Sequence, residues 1–326
     1  MPRPTGAPGG SHPVLDWARL LRLPNHATAV ADVLAGYLVV SGLKTVALPV
    51  GLPWVVGAGW AFYAAGMVLN DVFDVALDRE ERPERPLPSG RIDVRTAALV
   101  GQGLLALGGA CACVAAFVGG TPATALVGAL LTAAVWIYDR HAKGTPLGPA
   151  VMGTCRGLNW LLGMTAAGGP IHEAHWLLPL GVASYVAGIT IYARDEAATS
   201  RRVMLARGVT LMATGLALAG LGTVLAARAA GGIPWGEGPR PGVGVDRLTA
   251  WAGLWTLVSA SVLLRALLGV FEPTPQRVRA AVGNSIMSLI TLDAILVLAA
   301  CGEPWAVVVL ALLAPFLLLR RSIPPT

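Results

Sequence analysis

Charge is scarce in this sequence. Of its 326 residues only 13% are Asp, Glu, Lys or Arg, and the mean hydropathy is +0.66. An ordinary soluble domain carries about a quarter charged residues, so that class is excluded. Cysteine and histidine are sparse too, with four Cys and five His. Cys111, Cys113, Cys155 and Cys301 fall inside apolar runs without metal-type spacing and read as small hydrophobes. The string His172-Glu173-Ala174-His175 lacks the spacing of the helical His-Glu-x-x-His zinc motif. No Ser/His/Asp or Cys/His constellation is visible, which leaves no nucleophile for covalent catalysis.

What the chain has instead is apolar runs of near-spanning length. Ten are expected, near 26–47, 51–69, 96–118, 121–138, 147–168, 175–193, 205–227, 248–270, 282–301 and 303–319. The fold class is therefore all-α, a polytopic membrane bundle. Residues 1–14, rich in Pro and Gly, read as a disordered cytoplasmic tail, and 15–326 as a single transmembrane domain. With the amino terminus placed inside, 19 of the 24 Lys and Arg fall on the inner face, from Arg3, Arg19 and Arg22 through Arg79–Arg95 to Arg320 and Arg321. That bias obeys the positive-inside rule and puts both termini and the acidic loops in the cytoplasm of a cell-membrane protein. It also accounts for the net charge of +6 through anionic lipid, with no nucleic-acid partner.

Against this background the run Asn70-Asp71-Val72-Phe73-Asp74-Val75-Ala76-Leu77-Asp78 needs a reason. At about 100° per residue a helix places Asn70, Asp71, Asp74 and Asp78 within roughly a quarter-turn. Like charges that close repel unless a cation holds them. Oxygen-only ligands suit a hard divalent ion, and Mg²⁺ typically joins one or two carboxylates to substrate phosphates. Other polar residues gather at the same ends of spans: Arg22 and Asn25, Tyr138 and Lys143, then Tyr192, Arg194, Asp195 and Glu196. Arg156 and Asn159 share a face inside span five, and a mid-span Arg requires a partner, for which Asp32 and Asp293 are the candidates. Carboxylates flanked by Arg, Lys and Tyr suit an anionic ligand bridged by metal.

The acidic run, followed by Arg82-Pro83-Glu84-Arg85-Pro86-Leu87-Pro88-Ser89-Gly90, resembles the UbiA family of intramembrane prenyltransferases. The resemblance implies a helical bundle that holds an isoprenyl diphosphate through Mg²⁺ between two aspartate-rich motifs. It implies metal or diphosphate roles for Asn70, Asp71, Asp74 and Asp78, diphosphate contacts for Arg22 and Lys143, and a place at the reaction centre for Tyr138. Asp195 would open the second motif. Where the family has another Asp four residues on, this chain has Thr199, so metal affinity there drops unless Glu196 substitutes. The stretch Gly188 to Ser200 resembles the family's EboC-like branch. A tenth span is a further departure, since the family usually has nine.

The expected activity is Mg²⁺-dependent transfer of an isoprenyl group from its diphosphate to an aromatic or other lipophilic acceptor in the membrane lipid. A non-catalytic lipid-binding or transport-associated relative is the alternative. In that case Arg156, Asp32 and Asp293 would be pathway residues.

Overall fold

The computed structural model describes residues 13–43, 48–119, 121–194, 201–231 and 246–322. Among them there are helices and turns and no strand. In chain order the helices are α1 (Pro13–Leu20), α2 (His26–Ser41), α3 (Leu52–Phe73), α4 (Val75–Glu81), α5 (Val94–Gly119), α6 (Pro122–Ile137) and α7 (Gly148–Ala166). They continue with α8 (Leu177–Tyr192), α9 (Arg202–Ala229), α10 (Arg247–Phe271), α11 (Pro275–Cys301), α12 (Glu303–Ala311) and α13 (Leu313–Ser322). The expected tail lies outside the described residues except for Pro13 and Val14, which open α1.

Each of the ten expected segments holds a helix, the first ending at Ser41 and the tenth formed by the pair α12 and α13. Eight described helical stretches are long and apolar enough to cross a membrane. The two that fall outside this set are α2, with 16 residues, and α7, which carries Arg156 and Asn159. They pack on each other, and α11 also lies against α2. Ala31, Ala35 and Leu38 of α2 have no exposure at all. A helix sheltered by protein need not meet lipid, so it tolerates shortness and polar groups that an outer helix cannot. Their crossing is close because a Cβ on Gly163 would overlap the Val33 carbonyl and come within 2.8 Å of the Tyr37 nitrogen. Small residues let helix backbones approach in this way.

A second, smaller apolar cluster matters for the site. Leu87 and Ile92 pack with Leu20, Val68 and Ala97, pinning the Pro-rich segment after α4 beneath α1 and the ends of α3 and α5. The segment is knotted locally. Ser89 Oγ donates to the Arg85 carbonyl at 2.6 Å, and Gly90 adopts φ 74° to turn the chain. Arg91 Nε then donates to Asp16 Oδ1 at 3.0 Å, tying the segment to α1.

Candidate functional site

The acidic run straddles the end of α3. Helical bonding carries through the junction, from Asp74 N to the Asn70 carbonyl at 3.1 Å and from Asp78 N to the Asp74 carbonyl at 2.8 Å. Asp71, Asp74 and Asp78 therefore stay on adjoining turns, as the spacing requires. Each meets a base that arrives from another part of the chain. Arg22 Nη2 lies 3.0 Å from Asp71 Oδ1. Arg85 Nη1 lies 2.8 Å from Asp78 Oδ2 and 3.8 Å from Asp71 Oδ1. Lys143 Nζ is bonded to Asp74 Oδ2.

The local backbone explains how these bases reach the acids. Arg22 has φ 50° and ψ 47° and is the one non-glycine residue with positive φ among those described. Such a conformation costs about 1–3 kcal/mol and tends to occur at functional sites. After α6 the chain makes a π turn, Tyr138–Ala142, in which the Lys143 nitrogen donates to the Tyr138 carbonyl at 2.9 Å. The extra residue in that turn re-aims the chain, and π turns of this kind are often found at functional positions. Lys143 Nζ also donates to Asn70 Oδ1 at 2.8 Å, while Asn70 Nδ2 donates to Asp139 Oδ1 at 3.3 Å. Arg194 donates to the carbonyls of Gly144 and Thr145, both at 2.8 Å, bracing the loop beyond Lys143.

Behind this charged layer an apolar pocket of about 70 Å³ lies between the helices, with Phe62, Tyr63, Met67, Tyr138 and Met152 in its wall. Its inner end carries Arg156 and Asn159. Arg156 Nη1 pairs with Asp32 Oδ2 at 2.6 Å, Nη2 donates to Thr28 Oγ1 at 2.6 Å, and the guanidinium lies 5.3 Å from the centre of the Tyr63 ring. Asn159 Nδ2 donates to the Ala29 carbonyl at 2.8 Å. Asn25 lies close to Tyr63 of the cavity wall, one turn after Arg22, whose carbonyl accepts from the Asn25 nitrogen at 2.9 Å.

Of the residues singled out in the sequence, Arg22, Asn70, Asp71, Asp74, Asp78, Tyr138 and Lys143 come together. Tyr192 does not. It is 2% exposed, and its hydroxyl donates to the Ala266 carbonyl of α10 at 2.8 Å, so the expected ligand contact is replaced by a helix–helix bond. Arg194 acts on the backbone of a neighbouring loop. Asp195, Glu196 and Thr199, the proposed second motif, lie outside the described residues. Two site residues escaped sequence reasoning. Arg85 stands in the sequence as one Arg of a charged, Pro-rich stretch, where Leu87 between two prolines is the one signal that the segment is buried. Asp139 lies at a span end with nothing in its neighbours to mark it.

The donors fit a hard divalent ion in kind, since Asn70, Asp71 and Asp74 offer only oxygens to a metal. Among the described residues no group of three or more His, Cys, Asp or Glu side chains forms a cage.

The profile of the UbiA prenyltransferase family matches residues 29–290. A digeranylgeranylglyceryl phosphate synthase from Metallosphaera sedula is 34% identical over 115 residues, which are 35% of this chain and 37% of that enzyme. The match thus spans little more than a third of the enzyme's length. A UbiA homolog from Aeropyrum pernix superposes with a TM-score of 0.60 at 20% identity, covering 86% of this chain and 97% of that one. A UbiA homolog from Archaeoglobus fulgidus bound to GPP and Mg²⁺ gives a TM-score of 0.58 at 12% identity, covering 91% and 99%.

Proposed function

Because the chain belongs to the UbiA prenyltransferase family, we propose that it moves a prenyl group from an isoprenyl diphosphate to a lipophilic acceptor within the membrane. The diphosphate would sit at the charged layer and the prenyl carbons in the cavity behind it. One observation carries this reading: three acids of one motif are matched by Arg22, Arg85 and Lys143 at the mouth of an apolar cavity. The Archaeoglobus relative bound to GPP and Mg²⁺ supports it.

The three bases differ in what they are free to do. Arg85 is buried with Asp78, side chains 5% and 4% exposed, and holds the motif in place. Arg22 and Lys143 are about one-third exposed, at 33% and 32%. Each can leave its carboxylate for a phosphate oxygen, which frees Asp71 and Asp74 for a cation. Mg²⁺ bound by those two acids would supply charge neutralisation for the departing diphosphate. The chain's part is to keep Arg22 and Lys143 aimed at the same oxygens, where charge grows as the carbon–oxygen bond breaks. The bond's electron pair leaves with diphosphate. The allylic cation left behind is shielded from water by the cavity wall and faces the rings of Phe62, Tyr63 and Tyr138. The acceptor then bonds to the prenyl carbon and its proton passes to the departing diphosphate or to water at the charged mouth. The excess of basic residues in these loops supports a cytoplasmic position for this end of the bundle.

The test uses purified protein in detergent with radiolabelled isoprenyl diphosphates of several chain lengths. Mg²⁺-dependent binding is expected, together with new prenylated masses when a membrane lipid extract is added. Binding that ignores Mg²⁺, or its complete absence, rejects the reading.

A further inference from the structure

A second cavity, of about 310 Å³, lies at the end of the bundle opposite the acidic run. Helix α2 starts close to Arg22 and α8 ends close to Arg194, both beside the charged layer, so Ser41 and Leu177 mark the far side. Val39, Leu178, Ala227, Leu296 and Ala300 give the cavity apolar walls from the far ends of α2, α8, α9 and α11. A water takes about 30 Å³ of liquid, so a chain of roughly ten heavy atoms fits.

The wall also carries His172 and His175, and the backbone fixes how each ring presents itself. His175 Nδ1 accepts from the Ile171 and His172 nitrogens at 3.2 and 3.3 Å, and His172 Nδ1 accepts from the Ala174 nitrogen at 3.0 Å. A ring nitrogen that accepts carries no proton, so both imidazoles hold theirs on Nε2. His175 is only 9% exposed, yet its Nε2 keeps accessible surface and has no partner among the described residues.

These features select a ligand. An Nε2 that carries hydrogen has no lone pair for a metal, so the two rings are donors in search of an oxygen. Among the described residues no Asp, Glu, Lys or Arg lines the cavity, so a phosphate or carboxylate drawn into it would lack a counter-charge. A neutral carbonyl on an apolar chain meets both conditions. Depth points to its source. Trp176, next to His175, is 48% exposed, and exposed Trp rings at a span end mark the membrane–water interface. The ester carbonyls of a bilayer lipid lie at that level, with the headgroup outward and the acyl chains inward.

We propose that this cavity binds one acyl chain of an ester-linked membrane lipid, whose carbonyl accepts from His175 Nε2. The bound lipid joins the ends of α2 and α11 to those of α8 and α9, a role separate from the transferase reading.

The probe is a phosphatidylcholine with a diazirine in one acyl chain, photo-crosslinked to the full chain in detergent and mapped by peptide mass spectrometry. Label is expected on the peptides that contain Leu178 and Leu296. The competitors are dioleoyl phosphatidylcholine and its dialkyl ether counterpart, which has the same headgroup and chains but no carbonyl. The ester should displace the label at about one-fifth of the concentration the ether needs, the difference one hydrogen bond supplies. His175→Asn can keep an acceptor for the two backbone nitrogens but has no donor at the Nε2 position, so ester and ether should then compete equally. Ala300→Phe fills the cavity and should abolish the label. Absence of label from these peptides, equal competition in the wild type, an ester preference that survives His175→Asn, or label that survives Ala300→Phe would each overturn the proposal. The wild-type competition decides the matter even if a variant fails to fold.

Discussion

Arg156 Nη1 meets Asp32 Oδ2 at 2.6 Å, joining α7 to α2 in the middle of the bundle. Asp32 has no exposure, and the Arg156 side chain is 11% exposed. A third ionisable group, Asp293 of α11, is 1% exposed and accepts from Trp160 Nε1 at 3.3 Å. The Asp293 and Asp32 side chains lie within hydrogen-bonding reach of each other, and Asp32 Oδ1 and Asp293 Oδ2 have no donor among the described residues. Removing one partner of a buried pair strands the other charge. Asp32→Leu should therefore lower stability by about 3–5 kcal/mol. Asp293→Asn supplies a donor that can reach Asp32 and should be close to neutral. Unfolding in mixed micelles compares the two, and equal losses would show that Asp293 contributes as an ion.

Arg85 is predicted to be structural where Arg22 is not. Its pair with Asp78 is buried on both sides, whereas the Arg22 side chain is 33% exposed. Arg85→Met should cost about 3–5 kcal/mol, and Arg22→Met no more than about 1 kcal/mol. Diphosphate affinity should respond in the opposite sense, with Arg22→Met weakening it in a protein that still melts like the wild type. Melting curves in detergent beside a binding titration check both halves. A stable Arg85→Met protein would argue against the anchoring role.

Asp74 and Asp78 should separate in the same way. Asp74 is 21% exposed at the side chain and Asp78 only 4%. Asp74→Ala is expected to abolish Mg²⁺-dependent binding of isoprenyl diphosphate while leaving the helices intact. Asp78→Ala should instead destabilise the fold, by a loss on the order of 3 kcal/mol, because Arg85 loses its nearest acid. Circular dichroism melts and Mg²⁺ titrations distinguish these outcomes. Full diphosphate affinity in Asp74→Ala would remove the metal assignment.

Tyr192→Phe tests the residue that the structure moved away from the site. Loss of its bond to the Ala266 carbonyl should cost about 1 kcal/mol of stability. The Mg²⁺ dependence and affinity for isoprenyl diphosphate should not change. A drop in affinity without a drop in stability would return Tyr192 to the ligand.

Much of this was legible in the residues. Apolar length marks spanning helices, and the spacing of Asn70, Asp71, Asp74 and Asp78 puts them on neighbouring turns whatever else the chain does. Arg156 needs a partner on physical grounds, and of the two carboxyls suggested for it Asp32 pairs with it, while Asp293 accepts from Trp160. Helix period and the cost of charge in lipid are local rules, and a local rule can be read from a local stretch.

Which base answers each acid was decided only by the tertiary structure. Arg85 follows Asp78 by seven residues, but the chain leaves the helix at Arg82 and returns only because Leu87 and Ile92 find Leu20 and Val68. Asp139 becomes a wall residue because a π turn at Tyr138 re-aims it. Tyr192 is taken from the site by a carbonyl 74 residues away in α10. Helix α2 can be short because α7 and α11 pack around it. Each of these outcomes depends on which surfaces meet, and contacts between distant segments leave no period in the sequence to read.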